Sequence, residues 1–400
     1  MDTEHFDVLV FGGGVAGVSA AIAAAEEGAR TCLVERLGWL GGMVTGAYVI
    51  ALCGQWAGKM SKHRTVAGNF DKIAERAIAE GAAAWTFWNR LISKKAGPGE
   101  WDNRRELTVD PEAFKYVLDR LVVDAGVYLK LHTNAEMTGR IDAGIMIDCT
   151  GDGVFGGTRS YPTRAGVTMG VRLGGVDARR VREWDGRKTP LPSWSDGEHS
   201  FTASGWMSLA NDRAELFYDC MALGGCAGLD SVSKTRAEID GRMVAHETVK
   251  YLRTQPGYKN CYLISTGPVL GNRKGRAVLT RYYLTDEDQD ECMEDSIAVA
   301  GNVMRDYGYM EIPYRALLPK HTKNLLYAGR VFTPQVHGER ENFIAYEIPR
   351  LVAPCIASGE AAGVAAAICA DKRIEPADLD VAALQKRLVA RGAVIHGVKE

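Results

Sequence analysis

Residues 7–17 read DVLVFGGGVAG, so a cluster of glycines follows directly on a short apolar run. The apolar run at 7–11 has the composition of a buried parallel strand. Residues 15–27 are rich in alanine and favour a helix, and a second apolar run at 31–34 ends at Glu35. Together these features predict a strand–helix–strand unit at the start of the chain.

The glycine cluster matches the pattern G-x-G-x-x-G, with its fixed glycines at Gly12, Gly14 and Gly17. In this pattern the first glycine allows a tight turn, the second lets the backbone approach a pyrophosphate, and the third lets the helix pack close to the strand. The helix that begins at Val15 and Ala16 points its positive N-terminus at the same negative charge. The pattern in this context predicts a dinucleotide-binding site.

Glu35 lies at the end of the predicted second strand, at the spacing expected of the acid that binds a ribose. A carboxylate there accepts hydrogen bonds from ribose hydroxyls and repels a 2′-phosphate. The fingerprint by itself does not distinguish FAD from NAD, and an NAD-dependent dehydrogenase stays open on these residues alone.

Composition limits the remaining possibilities. The 400 residues suit two interleaved domains, and the formal charge of −2 argues against nucleic acid or an anionic membrane as the main partner. The N-terminus, MDTEHFD, has acids where a secretory signal has basic residues. We expect no membrane span, because we find no apolar stretch of the sequence long enough to cross a bilayer.

Nine cysteines are scattered along the chain without a Cys-x-x-Cys pair. This pattern predicts reduced thiols in a cytoplasmic protein, with no metal site. The missing Cys-x-x-Cys also disfavours a disulfide reductase.

The rest of the chain alternates predicted helices and strands. Predicted helices cover 70–90, a segment from 111 onward, 235–253, a segment starting at 285, 354–370 and 380–391. Predicted strands cover 127–131, 145–149, 166–174, 262–266 and 324–328. Loops are predicted at 38–46, 94–105 and 181–198, where Gly, Pro or polar residues accumulate.

Four stretches of the sequence resemble the FAD-dependent oxidoreductases related to the glutathione-reductase-like flavoproteins. The first is the fingerprint with Glu35, and the second is the loop after it, ERLGWLGGM at 35–43. The third is DCTGDG at 148–153. The fourth is NLLYAGR at 324–330, followed by Arg350 and CIASGEAAG at 355–363.

The resemblance implies that FAD is the cofactor and that these stretches hold it. The cofactor-binding residues it implies are Gly12, Gly14, Val15, Ala16, Gly17, Glu35, Arg36, Gly41, Gly42, Met43, Thr150, Gly151, Asp152, Gly329, Arg330, Gly359 and Ala362. In the family the strand at 324–328 ends against the ribityl chain, and the helix after it points its N-terminus at the pyrimidine edge of the flavin.

The implied fold is α/β: a Rossmann-like FAD-binding domain of the glutathione-reductase-like type, with an inserted mixed α+β substrate domain. The expected boundaries are 1–160 for the first part of the FAD domain, 161–320 for the substrate domain and 321–400 for the C-terminal part. Two departures from the family pattern are a short link at 133–145 and a charged stretch at 338–342, which lies where relatives face the substrate.

The catalytic candidates follow the last FAD strand. His337 is the first choice for a general base, with Glu339 and Glu341 as alternates. Arg350 is the first choice for clamping a carboxylate or stabilising reduced flavin. Arg273 and Arg276 are alternates for that role. Tyr346 is expected to be a core aromatic, with a place in the pocket lining as the alternative, and Cys355 is expected to pack beside the flavin.

The predicted function is FAD-dependent oxidation of a small polar molecule, such as an amine, amino acid or alcohol, with hydride transfer to flavin N5. Oxygen or another acceptor would then take the electrons. One alternative is a flavin monooxygenase that needs NAD(P)H, although a second G-x-G-x-x-G and a Trp-x-Trp-x-Ile-Pro signature are absent from the sequence. Another is a non-catalytic FAD-binding redox sensor. The oligomeric state and the substrate stay open.

Overall fold

The fold is described from a computed structural model of the chain. It describes residues 4–58, 61–87, 105–134, 141–155, 158–159, 167–177, 193–195, 200–203, 207–208, 215–223, 230–273, 277–332 and 343–398.

The helices and strands are numbered in chain order. The strands are β1 (Glu4–Phe11), β2 (Thr31–Val34), β3 (Ala51–Leu52), β4 (Ala83–Phe87), β5 (Arg105–Val109), β6 (Tyr128–Lys130), β7 (Ile141–Asp148), β8 (Thr158–Arg159), β9 (Val167–Gly174), β10 (Ser193–Ser195), β11 (Ser200–Ala203), β12 (Met207–Ser208), β13 (Glu215–Leu223), β14 (Tyr262–Thr266), β15 (Gly271–Asn272), β16 (Ala277–Val278), β17 (Ser296–Gly301), β18 (Tyr309–Pro313) and β19 (Leu325–Tyr327). The α-helices are α1 (Val15–Glu26), α2 (Met43–Gly46), α3 (Asn69–Ala79), α4 (Pro111–Asp124), α5 (Ser231–Leu252), α6 (Phe343–Glu347), α7 (Val352–Lys372) and α8 (Val381–Ala390), and short 3₁₀ turns cover Asp286–Asp288, Tyr314–Ala316, Gly329–Phe332 and Pro376–Asp378.

A parallel sheet lies at the centre of the fold. Its strand order is β19-β7-β1-β2-β6, and β1 pairs in parallel with both β2 and β7. Strands β2 and β19 are fully buried and β1 and β7 are buried towards their carboxyl ends, as expected for a sheet that is covered on both faces, whereas the edge strand β6 is partly exposed. The predicted Rossmann-type α/β architecture with a parallel sheet is therefore confirmed.

Helix α7 packs lengthwise against α1 beneath this sheet. A β-carbon on Gly359 would lie 2.2 Å from the carbonyl oxygen of Ala16, and one on Gly363 would lie 2.2 Å from that of Ala20. The two glycines, one turn apart, let the helix backbones approach as closely as they do. This contact joins the beginning and the end of the chain in one core.

The length of helix α7 bears on the expectation that no stretch of the chain is long enough to span a membrane. Within the described residues it is long and apolar enough to cross a membrane by composition. Its residues from Val352 to Cys369 are all buried inside the protein, which is how the core helix of a soluble fold also looks. The expectation that no stretch has the length of a span was wrong.

A second, antiparallel sheet has the order β10-β11-β13-β9-β14, with β12 and β15 paired at its sides. Helix α5 packs across it, and Val171, Val244 and Leu252 belong to a core separate from that of the parallel sheet. Tyr48, in the segment after α2, reaches this sheet and shares a hydrogen bond of 2.9 Å with Ser265. The segment after α2 therefore bridges the two sheets.

The hairpin of β17 and β18 packs with the parallel sheet. Ile297, Met310 and Leu318 belong to the same core as Val8 and Leu326. The expected domain boundary at 320 places this hairpin in the substrate domain, together with the second sheet. In the structure the hairpin shares the core of the parallel sheet.

The predicted helix over 70–90 was wrong in its second half. Helix α3 ends at Ala79, because Gly81 takes the left-handed conformation (φ +67°) and closes the helix with two hydrogen bonds, from Gly81 N–H to Ile78 and from Ala82 N–H to Ala77. Strand β4 follows and pairs with β5, a strand that the sequence analysis missed.

Other predictions needed smaller corrections. The helix predicted to start at 285 is only the 3₁₀ turn Asp286–Asp288, closed by a capping box with Thr285. Within the predicted loop at 181–198, the described part forms β10.

Candidate cofactor site

The glycine fingerprint forms a turn that leaves room beside the helix. Gly12 has φ +95°, and a β-carbon there would lie 2.7 Å from the carbonyl oxygen of Cys149. A β-carbon on Gly14 would meet only Gly42, with the Cα at 3.9 Å. The space next to Gly14 is therefore open, as a bound pyrophosphate requires.

The N-terminus of α1 faces this space. Gly14 is its N-cap, with no side-chain cap, and its first turn contains no acid. The first N–H groups of a helix lack intrahelical acceptors and carry partial positive charge. Val15 and Ala16 begin this turn, and their place at the phosphates stays a prediction.

Glu35 closes the other side of the turn. Its Oε2 accepts the backbone N–H of Gly13 at 2.6 Å, and its Oε1 accepts that of Leu37 at 2.8 Å. The side chain is almost fully buried. Each carboxylate oxygen keeps a further lone pair, which suits it to accept from ribose hydroxyls. Arg36, next to it, is exposed.

The loop after β2 lies directly against the fingerprint. Gly41 N–H donates to the carbonyl of Gly13 at 2.8 Å. Gly42 has φ +53°, and a β-carbon on it would lie 2.9 Å from the Cα of Gly14. Met43 then starts α2. Gly42 is thus required for the loop to approach the turn, whereas Gly41 is required by its left-handed backbone (φ +101°) and by the side chain of Thr45. The predicted residues of these two stretches come together.

The carboxyl ends of β7 and β19 are joined by an ion pair. Arg330 Nη2 lies 2.9 Å from Asp152 Oδ1. Gly151 has φ +75°, and a β-carbon on it would lie 2.8 Å from Arg330 Nη2. This side of the sheet is where ligands bind in open α/β folds.

Asp148 organises the turn after β7, and the sequence analysis quoted it without assigning it a role. It is fully buried, and its carboxylate accepts from Thr150 N–H and Oγ1 and from the N–H groups of Val154 and Phe155. Burial raises the pKa of Asp148, while these hydrogen bonds oppose the shift. An acid at the end of a buried strand was the available signal.

The start of α7 differs from expectation in one respect. Gly329 (φ +75°) donates its N–H to Ser358 Oγ at 3.2 Å, which places the end of β19 against the first turns of α7. Ala362 is buried. Gly359 was expected to contact the cofactor. A β-carbon on it would point at the backbone of Ala16, so the packing of α7 against α1 explains why a glycine stands at this position.

Arg350 lies just before α7 and is mostly buried. It forms an ion pair with Glu347, and its guanidinium lies over the ring of Tyr346, 5.0 Å from the centroid. Its Nε is buried without a hydrogen-bond acceptor among the described residues. The Tyr346 hydroxyl donates to the carbonyl oxygen of Arg273 at 2.8 Å. The backbone of Arg273, an alternate candidate for binding a carboxylate, therefore lies beside Tyr346 and close to Arg350.

The cysteines at the site are neutral thiols. Burial raises the pKa of Cys355 to about 12, although Arg330 and Arg350 oppose the shift. Burial also raises the pKa of Cys149. Neither thiol is an activated nucleophile, in agreement with the packing role expected of Cys355.

Three predicted residues of the substrate side, His337, Glu339 and Glu341, lie outside the described residues, as does Arg276. Their assignments remain predictions.

A Rossmann-type sheet, an uncapped helix N-terminus beside an open glycine turn, and a buried acid at the end of β2 define a dinucleotide-binding protein. The chain belongs to the family of FAD dependent oxidoreductases, whose model matches residues 7–388. The predictions of an oxidoreductase, of an enzyme and of FAD as cofactor are confirmed.

Solved structures with a similar course of the chain have low sequence identity to it. A geranylgeranyl bacteriochlorophyll reductase-like protein from Thermoplasma acidophilum is 16% identical over 98% of this chain and 84% of that chain, with a TM-score of 0.45. An L-proline dehydrogenase from P. horikoshii is 12% identical over 98% and 99%, with a TM-score of 0.41. CabE, an aromatic hydroxylase from angucycline biosynthesis, is 11% identical over 97% and 68%, with a TM-score of 0.46. At these scores the likenesses identify no substrate. A comparison with proteins of curated function found no match.

Proposed function

We propose that this enzyme oxidises a small polar molecule that carries a carboxylate, with an amino acid as the first choice among the amines, amino acids and alcohols that the sequence predicts. The substrate loses a hydride from carbon and a proton from its nitrogen. Bound FAD supplies the hydride acceptor at N5. Oxygen or another acceptor then takes up the electron pair.

The observation that carries the proposal is the group of arginines beside α7. Arg350 lies over the ring of Tyr346, whose hydroxyl donates to the carbonyl oxygen of Arg273 at 2.8 Å. Arg330 directly follows Gly329, where an added β-carbon would lie 3.8 Å from Cys355 Sγ. Guanidinium groups bind carboxylates through two parallel hydrogen bonds. Glu347 and the Tyr346 ring hold Arg350 in one orientation. The Nε–H of Arg350 has no acceptor among the described residues and can donate a hydrogen bond to a substrate carboxylate.

The antiparallel sheet is proposed as the inserted substrate domain of a glutathione-reductase-like fold, with the division at 160 and 320 kept as a proposal. Two contacts support a site between the sheets. Tyr48 bonds to Ser265, and a β-carbon on Gly267 would lie 2.9 Å from the carbonyl oxygen of Gly46. The segment after the cofactor loop therefore lies directly on this sheet.

The roles of the remaining residues are proposed as follows. His337 takes the proton from the substrate nitrogen, with Glu339 and Glu341 as the alternate bases. Arg350 binds the carboxylate and orients the substrate carbon. The location is proposed to be the cytoplasm, and the partners are the substrate and an electron acceptor, with no role for nucleic acid.

The experiment is a screen for anaerobic bleaching of the purified yellow protein by L- and D-amino acids, each paired with the amine that lacks its carboxylate. We expect bleaching by at least one amino acid and at least tenfold slower bleaching by its amine. Arg350→Gln should raise KM for that amino acid at least tenfold, while Arg305→Gln, an exposed arginine, should not change it. Equal bleaching by acid and amine would reject the carboxylate assignment. Bleaching by NAD(P)H but by no amine, amino acid or alcohol would favour the monooxygenase.

A further inference from the structure

We propose that Cys292, Glu311 and His396 form a binding site for one divalent transition-metal ion of the zinc class. The three residues are distant in sequence and lie on the β17–β18 hairpin side of the molecule. Their spacing matches no linear metal motif, which explains why the sequence analysis predicts no metal site.

The donor atoms converge on one point. His396 Nδ1 lies 3.8 Å from Cys292 Sγ and 3.2 Å from Glu311 Oε2, and the three ligand atoms all lie within 4.8 Å of one another. Zinc bonds to sulfur, nitrogen and oxygen place tetrahedral donors about 3.4–3.6 Å apart. The two separations from His396 Nδ1 are already close to this range, and the separation between Cys292 and Glu311, at most 4.8 Å, closes with a shift of about 1 Å at the two exposed side chains.

Glu311 holds the arrangement together from inside the protein. It lies on β18 with no exposed surface. Its Oε2 accepts the backbone N–H of Met293 at 2.8 Å, and its Oε1 accepts that of Gly397 at 2.9 Å. These are the neighbours of Cys292 and His396, so one buried carboxylate fixes the backbone beside both other ligands. Such hydrogen bonds orient a metal-binding carboxylate.

The same geometry argues against a catalytic Cys–His–Glu triad. A triad uses the two ring nitrogens separately, one toward the nucleophile and the other toward the acid. Here a single nitrogen, Nδ1, is the ring atom nearest to both the thiol and the carboxylate. Convergence of three donors is the arrangement that a metal ion requires.

The charges also match. In the described part of the chain, the ion pair found for Glu311 is with the half-exposed His396. Binding requires a thiolate and a neutral imidazole, so the Cys292 thiol releases its proton and His396, where it is protonated in the ion pair, releases a second. The divalent ion then meets two negative charges and a neutral imidazole. Three protein ligands leave one position for water. The bound ion would fasten the C-terminal segment to the hairpin.

The test uses the flavin-containing protein after treatment with a chelator and dialysis. Zn²⁺ is titrated against a chromophoric chelator for wild type, Cys292→Ser and His396→Gln, with His246→Gln on the exposed face of α5 as the control. We expect one equivalent bound by wild type and control, with affinity at least tenfold lower in the two ligand variants. No binding by wild type, or equal affinity in all four proteins, would overturn the proposal.

Cobalt reports on the thiolate directly. Co²⁺ should produce a sulfur-to-cobalt charge-transfer band in the difference spectrum of wild type and His246→Gln, and Cys292→Ser should lack it. A band that survives in Cys292→Ser would contradict ligation by this cysteine. Both ligand variants should keep the FAD content of wild type, since their side chains are exposed and apart from the fingerprint.

Discussion

The carbonyl oxygen of Gly12 fills the place where Gly17 would carry a side chain, since a β-carbon on Gly17 would lie 1.8 Å from it. Gly14, between them, has an extended backbone (φ −65°, ψ 173°) and no atom closer than 3.9 Å to an added β-carbon. The fingerprint glycines therefore differ in purpose. Gly12 and Gly17 are needed by the fold, whereas Gly14 is needed by the ligand.

Gly14→Val should accordingly fold and lose FAD. The new side chain enters the open space at the N-terminus of α1 without a clash in the protein and displaces the pyrophosphate. We expect soluble protein with a normal far-ultraviolet circular dichroism spectrum and less than a tenth of the wild-type flavin content, measured by absorbance after heat release.

Gly17→Val serves as the comparison. Its β-carbon cannot be accommodated without moving the backbone of Gly12, so we expect little soluble protein. If Gly14→Val kept its flavin, the pyrophosphate would not lie at this turn, and the assignment of the whole fingerprint would fail.

The contact between α1 and α7 yields a second prediction, on stability. Gly363→Ala places a β-carbon 2.2 Å from the carbonyl oxygen of Ala20, and we expect it to lower the free energy of unfolding by about 1–3 kcal/mol. Gly241→Ala in α5 is the matched control, because its β-carbon meets the flexible end of Met169 at 2.7 Å. Alanine also gains about 1 kcal/mol of helix propensity at both sites. Urea unfolding of both variants measures the difference; equal values would show that the helices can separate freely.

The strand–helix–strand unit at the start of the chain was predictable because its signals are local. The apolar run before Gly12 predicts a strand, and the residues after Gly12 predict a helix. Glu35 is recognised by its position at the end of the next strand. Gly81 shows the limit of such reasoning: it ends α3 and turns the chain into β4, but β4 is a strand only because β5 pairs with it. That pairing joins residues about twenty positions apart and leaves no local pattern.

The candidate site divides in the same way. Glu35 and the glycines of the fingerprint were predictable from their spacing. The packing role of Gly359 was not, because it depends on which face of α7 meets α1. Asp148 and the grouping of Arg330 with Asp152 arise where β7 and β19 end side by side. Such proximity is a property of the sheet and not of the sequence near either residue.

The buried thiols predict how stability depends on pH. Burial raises the pKa of Cys32 to about 11 and those of Cys355 and Cys369 to about 12, from an ordinary value of 9.0. Above pH 9 the unfolded chain releases protons that the folded protein keeps, so the free energy of unfolding falls as the pH rises. The expected loss is about 1.4 kcal/mol per thiol for each pH unit between 9 and 11.

Denaturant unfolding at pH 8, 9 and 10 measures this slope. Cys292, which is exposed, provides an internal control: in the metal-free folded protein it should react with a thiol reagent, while Cys32, Cys355 and Cys369 should react only after unfolding. A free energy of unfolding that stays constant from pH 8 to 10 would contradict the prediction.

Arg391 should be the most sensitive charged residue of the C-terminal helix segment. It pairs with Glu360 at 3.0 Å and with Glu26 at 2.8 Å, and Glu360 is almost fully buried on α7. Arg391→Met leaves that carboxylate without its cation, and we expect a loss of about 3–5 kcal/mol at pH 7. Burial already raises the pKa of Glu360, against the opposing effect of Arg391, and the variant removes that opposition. Part of the lost stability should therefore return as the pH falls from 7 to 5 and the buried carboxyl takes up a proton.

Arg387→Met is the matched control for this last experiment. Arg387 lies one turn earlier, is 48% exposed and pairs with Glu27, so its removal should cost only about 0–1 kcal/mol and show no recovery at pH 5. Thermal unfolding of both variants at the two pH values provides the measurement. Equal losses in the two variants would mean that Glu360 finds another partner when Arg391 is gone, and a loss in Arg391→Met that does not change with pH would place the cost in packing and not in the buried charge.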